Sequence, residues 1–199
     1  IKRLLKDKKR KRRVFVIISD AFRYEAAQEL FEELNKTPKI KTKLDPMLGV
    51  VPSYTALGMA SLLPHKEISF NKDHVLVDEK STTGILNRDK VLEAYNGIAL
   101  DYDTAIKLKN DEGREKFKDY ELIYIYHNEI DSTGDDAKSE SDTFPAVKRA
   151  IKNLNELIRK IINSWNGSNI LVTTDHGFLF HQSPVDETDK SKLPDVPNT

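Results

Sequence analysis

The chain has 199 residues with 32 basic and 32 acidic side chains and no cysteine, which excludes disulfides and thiolate metal sites. Its zero net charge argues against a general nucleic-acid-binding surface, so a nucleic-acid partner stays uncertain. No apolar run approaches the roughly 20 residues of a membrane span, and we expect a cytoplasmic protein without a membrane partner.

The two ends of the chain are polar and differ from the middle. Residues 1–13 carry nine Lys or Arg and one Asp. We interpret this segment as a basic linker, with binding to phosphates or anionic lipid as the alternative. A folded core is expected over residues 14–181. The tail, 182–199, is a loop or lid, or the start of a missing segment, because a sequence that opens at Ile1 suggests a portion of a longer protein.

Apolar runs and amphipathic patterns alternate along the core. The pattern predicts a buried strand at 14–19, a helix from Phe22 to Leu34, an extended stretch from Lys39 to Val51, a short helix ending at Pro64, an edge strand or hairpin at 66–80, a helix at 81–96, strands at Leu122–Tyr126 and Asn169–Thr174, and a long helix at Thr143–Ser164. Residues 99–120 are polar and mostly helical in pattern, without a clear place in the fold. This alternation predicts an α/β fold with a mainly parallel sheet and helices on both faces.

Side chains of types that can bind metal ions follow three of the predicted strands, and a hydroxyl side chain lies at the start of one helix. These residues are Asp20, Thr55, Asp131, Asp135, Asp175 and His176. Parallel strands place their carboxyl ends at one edge of a sheet, so we expect these groups to share a crevice. Carboxylates with one imidazole and no sulfur suit Zn²⁺, Mn²⁺ or Mg²⁺. Two such ions about 4 Å apart would suit phosphoryl transfer.

Each of these residues also has a simpler explanation when it is taken alone. An Asp at a strand end often forms a turn or caps a helix, and Thr55 could be a helix cap. His127 lies one step before the acidic loop and could support a ligand, whereas the apolar residues around His181 suggest packing. Glycine-rich nucleotide-binding motifs and the G-x-S-x-G motif of serine hydrolases are absent from the sequence.

Four segments together carry a family resemblance. They are SDAFRYE (19–25), PSYTALGMASLLP (52–64), HNEIDSTGD (127–135) and VTTDHGF (172–178). Through them the chain, over nearly all of its length after residue 13, resembles the PglZ family of the alkaline phosphatase superfamily. PglZ proteins are associated with bacteriophage exclusion (BREX) defence systems, and PglZ domains also occur in some bacterial response regulators.

The resemblance implies a role for each candidate residue. Asp20 and Asp131 correspond to metal ligands, Asp175 and His176 to the superfamily's Asp-His pair, and Thr55 to a nucleophile that also contacts metal. Asp135 stands where relatives such as the nucleotide pyrophosphatases have His, and no clear equivalent of their further downstream His is present. The second metal site is therefore expected to be incomplete in this chain.

The expected function is that of a metal-dependent phosphoesterase with a Thr nucleophile and two metal ions, for which we expect zinc, with manganese or magnesium as alternatives. Its substrate would be a phosphorylated compound or a nucleotide, and its partners other defence-system proteins. Arg23 either binds phosphate oxygens or pairs with Glu25 or Glu29. The alternative functions are a catalytically inactive phosphatase-like scaffold or regulatory module, and a small-ligand-binding α/β domain without metal.

Overall fold

The structure is a computed structural model that describes residues 13–38, 40–72, 74–134 and 142–178. Residues 1–12 of the expected linker and the tail at 182–199 lie outside this part, as do Asp135 and His181. The domain boundaries at 13 and 181 therefore stay a prediction.

The described chain alternates strands and helices. The strands are β1 (Val14–Ser19), β2 (Ile68–Asn71), β3 (His74–Val77), β4 (Lys80–Ser81), β5 (Gly97–Asp101), β6 (Leu122–His127) and β7 (Asn169–Thr173). The helices are α1 (Tyr24–Asn35), α2 (Thr55–Leu62), α3 (Gly84–Leu92, followed by a 3₁₀ turn at Glu93–Tyr95), α4 (Tyr102–Lys107), α5 (Asn110–Phe117), α6 (Asp131–Gly134) and α7 (Thr143–Ser164). None of these helices is long and apolar enough to cross a membrane.

Strand β1 lies inside a parallel sheet. Within the described residues the strand order is β5-β6-β1-β7, with every neighbouring pair parallel. Ser19 is in register with His127 on one side, and Ile18 is in register with Thr173 on the other. The carboxyl ends of these three strands therefore lie side by side at one edge, where ligands bind in open α/β sheets.

Helices cover both faces of this sheet, because the β1 side chains alternate between two apolar cores. Phe15 and Ile17 pack with α1, α4, α5 and α7. Val16 and Ile18 pack on the opposite face with α2, α3 and strand β3 of a small antiparallel sheet, β2-β3-β4. The predicted fold class is confirmed.

The structure differs from the sequence-based expectation in three places. Strand β5 and helices α4 and α5 occupy the region that had no clear place, 97–117. The stretch at 40–50 has no regular strand, since its side chains are exposed or half-exposed and no described strand pairs with it. The acidic loop expected after His127 contains the short helix α6, Asp131–Gly134.

Candidate metal centre

Asp20 immediately follows β1 and is held by contacts to both neighbouring strand ends. Its backbone N–H donates to the carbonyl of His127 at 2.8 Å. Ala21, the next residue, adopts a left-handed φ of 58°, which is unusual for a residue with a Cβ atom. The Ala21 N–H donates to Asp175 Oδ1 at 3.4 Å, and the Phe22 N–H donates to Thr174 Oγ1 at 3.0 Å. This turn therefore fixes Asp20 against the loop that follows β7.

Thr55 begins helix α2 and faces the same loop. Tyr54 occupies the N-cap position, so Thr55 is the first helical residue rather than the cap. The Thr55 Oγ1 atom lies 2.9 Å from His176 Nε2. His176 Nδ1 lies 2.8 Å from the carbonyl of Gly177, which can only accept, so Nδ1 carries a hydrogen. In the neutral imidazole the one lone pair is therefore on Nε2, where it accepts the Thr55 hydroxyl hydrogen in this structure or would bind a metal in its place.

Three carboxylates surround the same imidazole nitrogen. His176 Nε2 lies 3.3 Å from Asp20 Oδ1, 3.4 Å from Asp175 Oδ2 and 4.0 Å from Asp131 Oδ1. One potential ligand atom from each of Asp20, Asp131 and His176 lies within 4.8 Å of the other two. The ends of β1 and β7, the start of α2 and the start of α6 thus contribute to one cluster.

The charged groups in this cluster shift one another's pKa values. Burial, together with the nearby carboxylates of Asp175 and Asp131, raises the pKa of Asp20 to about 7. Burial alone would lower the pKa of His176, but its contact with the Gly177 carbonyl and the three carboxylates outweigh burial and raise that pKa. A single imidazolium cannot neutralise three carboxylates, so the cluster favours a bound cation.

Two buried oxygens test whether these residues fit a metal ion. Asp20 Oδ1 and Asp175 Oδ2 are inaccessible to solvent, and neither accepts a hydrogen bond from the described residues, although His176 Nε2 lies 3.3 and 3.4 Å from them. Leaving buried carboxylate oxygens without partners is costly, whereas a divalent cation would satisfy both. Oxygen and imidazole donors without sulfur are compatible with Zn²⁺, Mn²⁺ or Mg²⁺. The residues present fit a divalent metal.

Arg23 lies beside the cluster and pairs with its helix neighbour. Its Nε and Nη2 atoms donate to the two carboxylate oxygens of Glu25 at 3.3 and 2.6 Å. The guanidinium also lies over the ring of Phe178, 5.1 Å from the ring centre. The structure thus shows the pairing with Glu25, and phosphate binding by Arg23 stays a prediction.

His127 supports the site in a way that the sequence did not specify. Its side chain is 2% exposed. Its Nδ1 lies 2.9 Å from Ser19 Oγ and its Nε2 lies 3.5 Å from the amide nitrogen of Asn153, so it contacts these residues rather than the carboxylate cluster. Burial lowers its pKa to about 4. The contact between Ser19 and His127 follows from the register of β1 and β6, which pairs these two residues. That register cannot be read from the sequence of either strand alone.

Comparisons with known proteins identify the family of this chain. The profile described as "BREX system PglZ alkaline phosphatase-like domain" matches residues 1–198. The chain belongs to the PglZ family. It is similar to the alkaline phosphatase-like protein BrxZ of Escherichia coli O9:H4 (strain HS), with 49% identity over 185 residues and 92% of this chain. It is also similar to the alkaline phosphatase-like protein PglZ of Bacillus cereus (strain H3081.97), with 41% identity over 183 residues and 90% of this chain.

The matched region is a minor part of these two PglZ-family relatives. The chain spans 21% of the length of each, and no solved structure matches it. The resemblance to the PglZ family is confirmed, and the parallel sheet fits an alkaline-phosphatase-like fold. The individual roles of Asp20, Thr55, Asp131, Asp175 and His176 stay predictions.

Proposed function

We propose that the intact protein is a metal-dependent phosphoesterase, a phosphatase or a phosphodiesterase, that acts in a BREX defence system. The observation that carries this proposal is the 2.9 Å contact between Thr55 Oγ1 and His176 Nε2 within a cluster of three carboxylates. A hydroxyl nucleophile beside metal-binding groups suits attack on a phosphoester. The substrate class is a phosphorylated compound or a nucleotide, and the partners are other proteins of the defence system.

Two ions are part of this proposal. Asp20, Asp175 and His176, with Thr55, would hold the first, and Asp131 with Asp135 would contribute to the second. Zinc is expected before manganese or magnesium, and such ions neutralise the carboxylates and lower the pKa of a bound hydroxyl. Asp135 lies outside the described residues, so the proposal for the second ion depends on the sequence.

Thr55 and Arg23 would have different roles in the reaction. Thr55 Oγ would lose its proton to solvent and attack phosphorus; its bond to phosphorus would form as the bond to the leaving alkoxide breaks, and that alkoxide would take up a proton to become the alcohol. Water would later cleave the phosphothreonine and release phosphate. Thr55 is the first residue of α2, where the exposed N–H groups of a helix favour an anionic phosphate. Arg23 would exchange Glu25 for phosphate oxygens, which its planar fork of donors also matches.

The first prediction concerns Thr55→Ala in the intact protein. Without the hydroxyl no phosphothreonine can form, so turnover of nitrophenyl phosphate or bis-nitrophenyl phosphate should fall by at least about 10³-fold. The carboxylates and His176 remain, so metal content by elemental analysis should stay close to that of the wild type.

Thr42→Ala is the matched control, because the Thr42 hydroxyl bonds to exposed Asn35 and lies in the loop before α2. That variant should retain full activity. Hydrolysis by Thr55→Ala at the wild-type rate would exclude Thr55 as the nucleophile.

A second candidate function is a catalytically inactive phosphatase-like scaffold or regulatory module. Asp135 favours it, because that position holds His in the nucleotide pyrophosphatases, and a changed ligand would alter the second metal site. Metal stoichiometry and hydrolysis assays on the intact protein separate the two functions. Bound metal with turnover supports the phosphoesterase, whereas neither metal nor turnover supports the scaffold. The expected cytoplasmic location stays a prediction.

A further inference from the structure

Helix α2 contacts the site and the sheet along one face. Thr55, Gly58 and Leu62 follow the spacing i, i+3 and i+7 and therefore lie on the same side of the helix. Thr55 meets His176 at the amino end of the helix. At the other end the carbonyl of Leu62 accepts a hydrogen bond of 2.8 Å from the hydroxyl of Tyr124. The helix is thus held at both ends.

Gly58 lies between these two contacts, directly against Asp175. A Cβ atom built on Gly58 would lie 2.7 Å from the Asp175 carbonyl oxygen, 2.8 Å from its Cβ and 3.0 Å from its carbonyl carbon. These atoms belong to the backbone or are fixed to it, so a rotamer change cannot relieve the overlap. Glycine weakens a helix interior relative to alanine. Its presence at this buried helical position therefore indicates that a side chain would not fit there. Its absent side chain permits this close approach.

The loop that carries Asp175 has little freedom to move away. The strand before it, β7, pairs with β1 over five positions from Asn169 to Thr173. Asp175 Oδ1 accepts the N–H of Ala21, and Thr174 Oγ1 accepts the N–H of Phe22. An added methyl group at position 58 would therefore displace the amino end of α2, and Leu62 with its bond to Tyr124 would act as the pivot.

We propose that Gly58 is a positioning residue that sets the separation between the Thr55 hydroxyl and the His176 imidazole. This inference rests on the proposed function, in which Thr55 is the nucleophile. Close-packed interiors transmit such overlaps as small shifts. A shift of about half an ångström would stretch the Thr55–His176 hydrogen bond from 2.9 Å to about 3.4 Å, which weakens it and misplaces the nucleophile, for which about 1 Å can cost 10²-fold in rate.

The test compares Gly58→Ala with Gly49→Ala in the intact protein. Gly49 is the matched control, because a Cβ atom there would meet nothing within 4 Å. In Gly58→Ala the ring-nitrogen NMR signals of His176 should move at fixed pH, and Mn²⁺ affinity, measured by calorimetry, should fall about 10-fold. The kcat for nitrophenyl phosphoesters should fall about 10²-fold with a smaller change in KM. Gly49→Ala should match the wild type in each measurement.

The outcomes separate this inference from the proposed function. If the wild type binds Mn²⁺ but hydrolyses nothing, the proposed function fails, and the His176 spectrum and the Mn²⁺ affinity still judge Gly58. A Gly58→Ala protein with a higher melting temperature, unchanged His176 signals and unchanged Mn²⁺ affinity would overturn the inference. If that variant does not fold, the wild type decides: a nuclear Overhauser contact between the Gly58 Hα and Asp175 Hβ protons supports the close approach, and its absence overturns it.

Discussion

His127 is a buried imidazole held by neutral partners. The amide nitrogen of Asn153 can only donate, so His127 Nε2 accepts, and its Nδ1–H donates to Ser19 Oγ at 2.9 Å. Burial lowers the pKa of His127 to about 4 and keeps the ring uncharged at neutral pH. Because the carbonyl of His127 also accepts the N–H of Asp20, a neutral ring in this position helps to hold the strand end that carries the candidate ligand.

The second prediction is that His127 makes the fold less stable at mildly acidic pH. Its pKa is about 6.5 when the chain is unfolded and about 4 when folded, so the unfolded state takes up the proton first. The contribution of His127 to stability is complete above about pH 6.5 and is lost as the pH falls towards 4, by up to about 3 kcal/mol. His127→Asn keeps a group able to bond Ser19 but cannot titrate, so urea unfolding should show a smaller loss of stability over this range.

Asp20 makes the comparison with the variant necessary. Its folded pKa of about 7 is raised above the unfolded value of 3.8, so its contribution to stability decreases as the pH rises through this range, opposite in sign to that of His127. The wild-type profile alone mixes the two effects, whereas the difference between wild type and His127→Asn isolates the imidazole. Identical pH profiles for the two proteins would show that His127 is not responsible.

Among the elements, α7 and β1 contribute much of the larger core. Helix α7 has 22 residues and places Ala150, Leu154, Leu157 and Ile161 against the sheet.

Leu154 is fully buried, so the third prediction is that Leu154→Ala leaves a cavity and lowers the free energy of unfolding by about 2–5 kcal/mol. Urea denaturation measures this loss. Lys152→Ala, on the exposed side of the same helix, should stay within about 0.5 kcal/mol of the wild type, and an equal loss in both variants would contradict the assignment of Leu154 to the core.

These same elements were predictable from the sequence because burial imposes a clear pattern on them. Helix α7 matches its predicted limits, Thr143–Ser164, since its apolar stripe keeps the 3.6-residue period over six turns. Strand β1 is buried along its whole length, so it is apolar at nearly every position. The apolar runs of β1 and β7 placed Asp20 and Asp175 directly after predicted strands, which is why their convergence could be anticipated.

Short or non-local features could not be predicted in this way. Strand β5, Gly97–Asp101, has five residues of which only some are buried, and its pattern is too brief to separate from the helices around it. Asp101 at its end caps α4 by accepting the N–H of Thr104 at 2.7 Å, although its sequence position resembles that of Asp20. The contact between Gly58 and Asp175 joins residues more than a hundred positions apart, so only the folded chain reveals it.

At the scale of the whole molecule, the sheet brings three carboxylates together at the expense of stability. The raised pKa of Asp20 shows that its charged form is disfavoured in the folded protein without a cation. Active sites commonly carry such a cost, because groups arranged for function repel one another until a ligand binds. A metal ion that binds only the folded chain should therefore increase the stability of the entire domain.

The last prediction is that Zn²⁺ or Mn²⁺ raises the melting temperature of the metal-free protein at pH 8, where Asp20 is charged. A free ion concentration of 100 times the Kd adds about 2.7 kcal/mol, which corresponds to a rise of roughly 5–10 °C for a chain of this size. Asp20→Asn should melt higher than the wild type without metal, since the repulsion is removed, and should gain much less on metal addition.

Asp45→Asn, which alters an exposed pair with Lys43, should respond like the wild type. An equal metal-induced rise in Asp20→Asn and wild type, measured by calorimetry, would place the ion elsewhere, because the orphaned oxygen of Asp20 would then have no part in binding it.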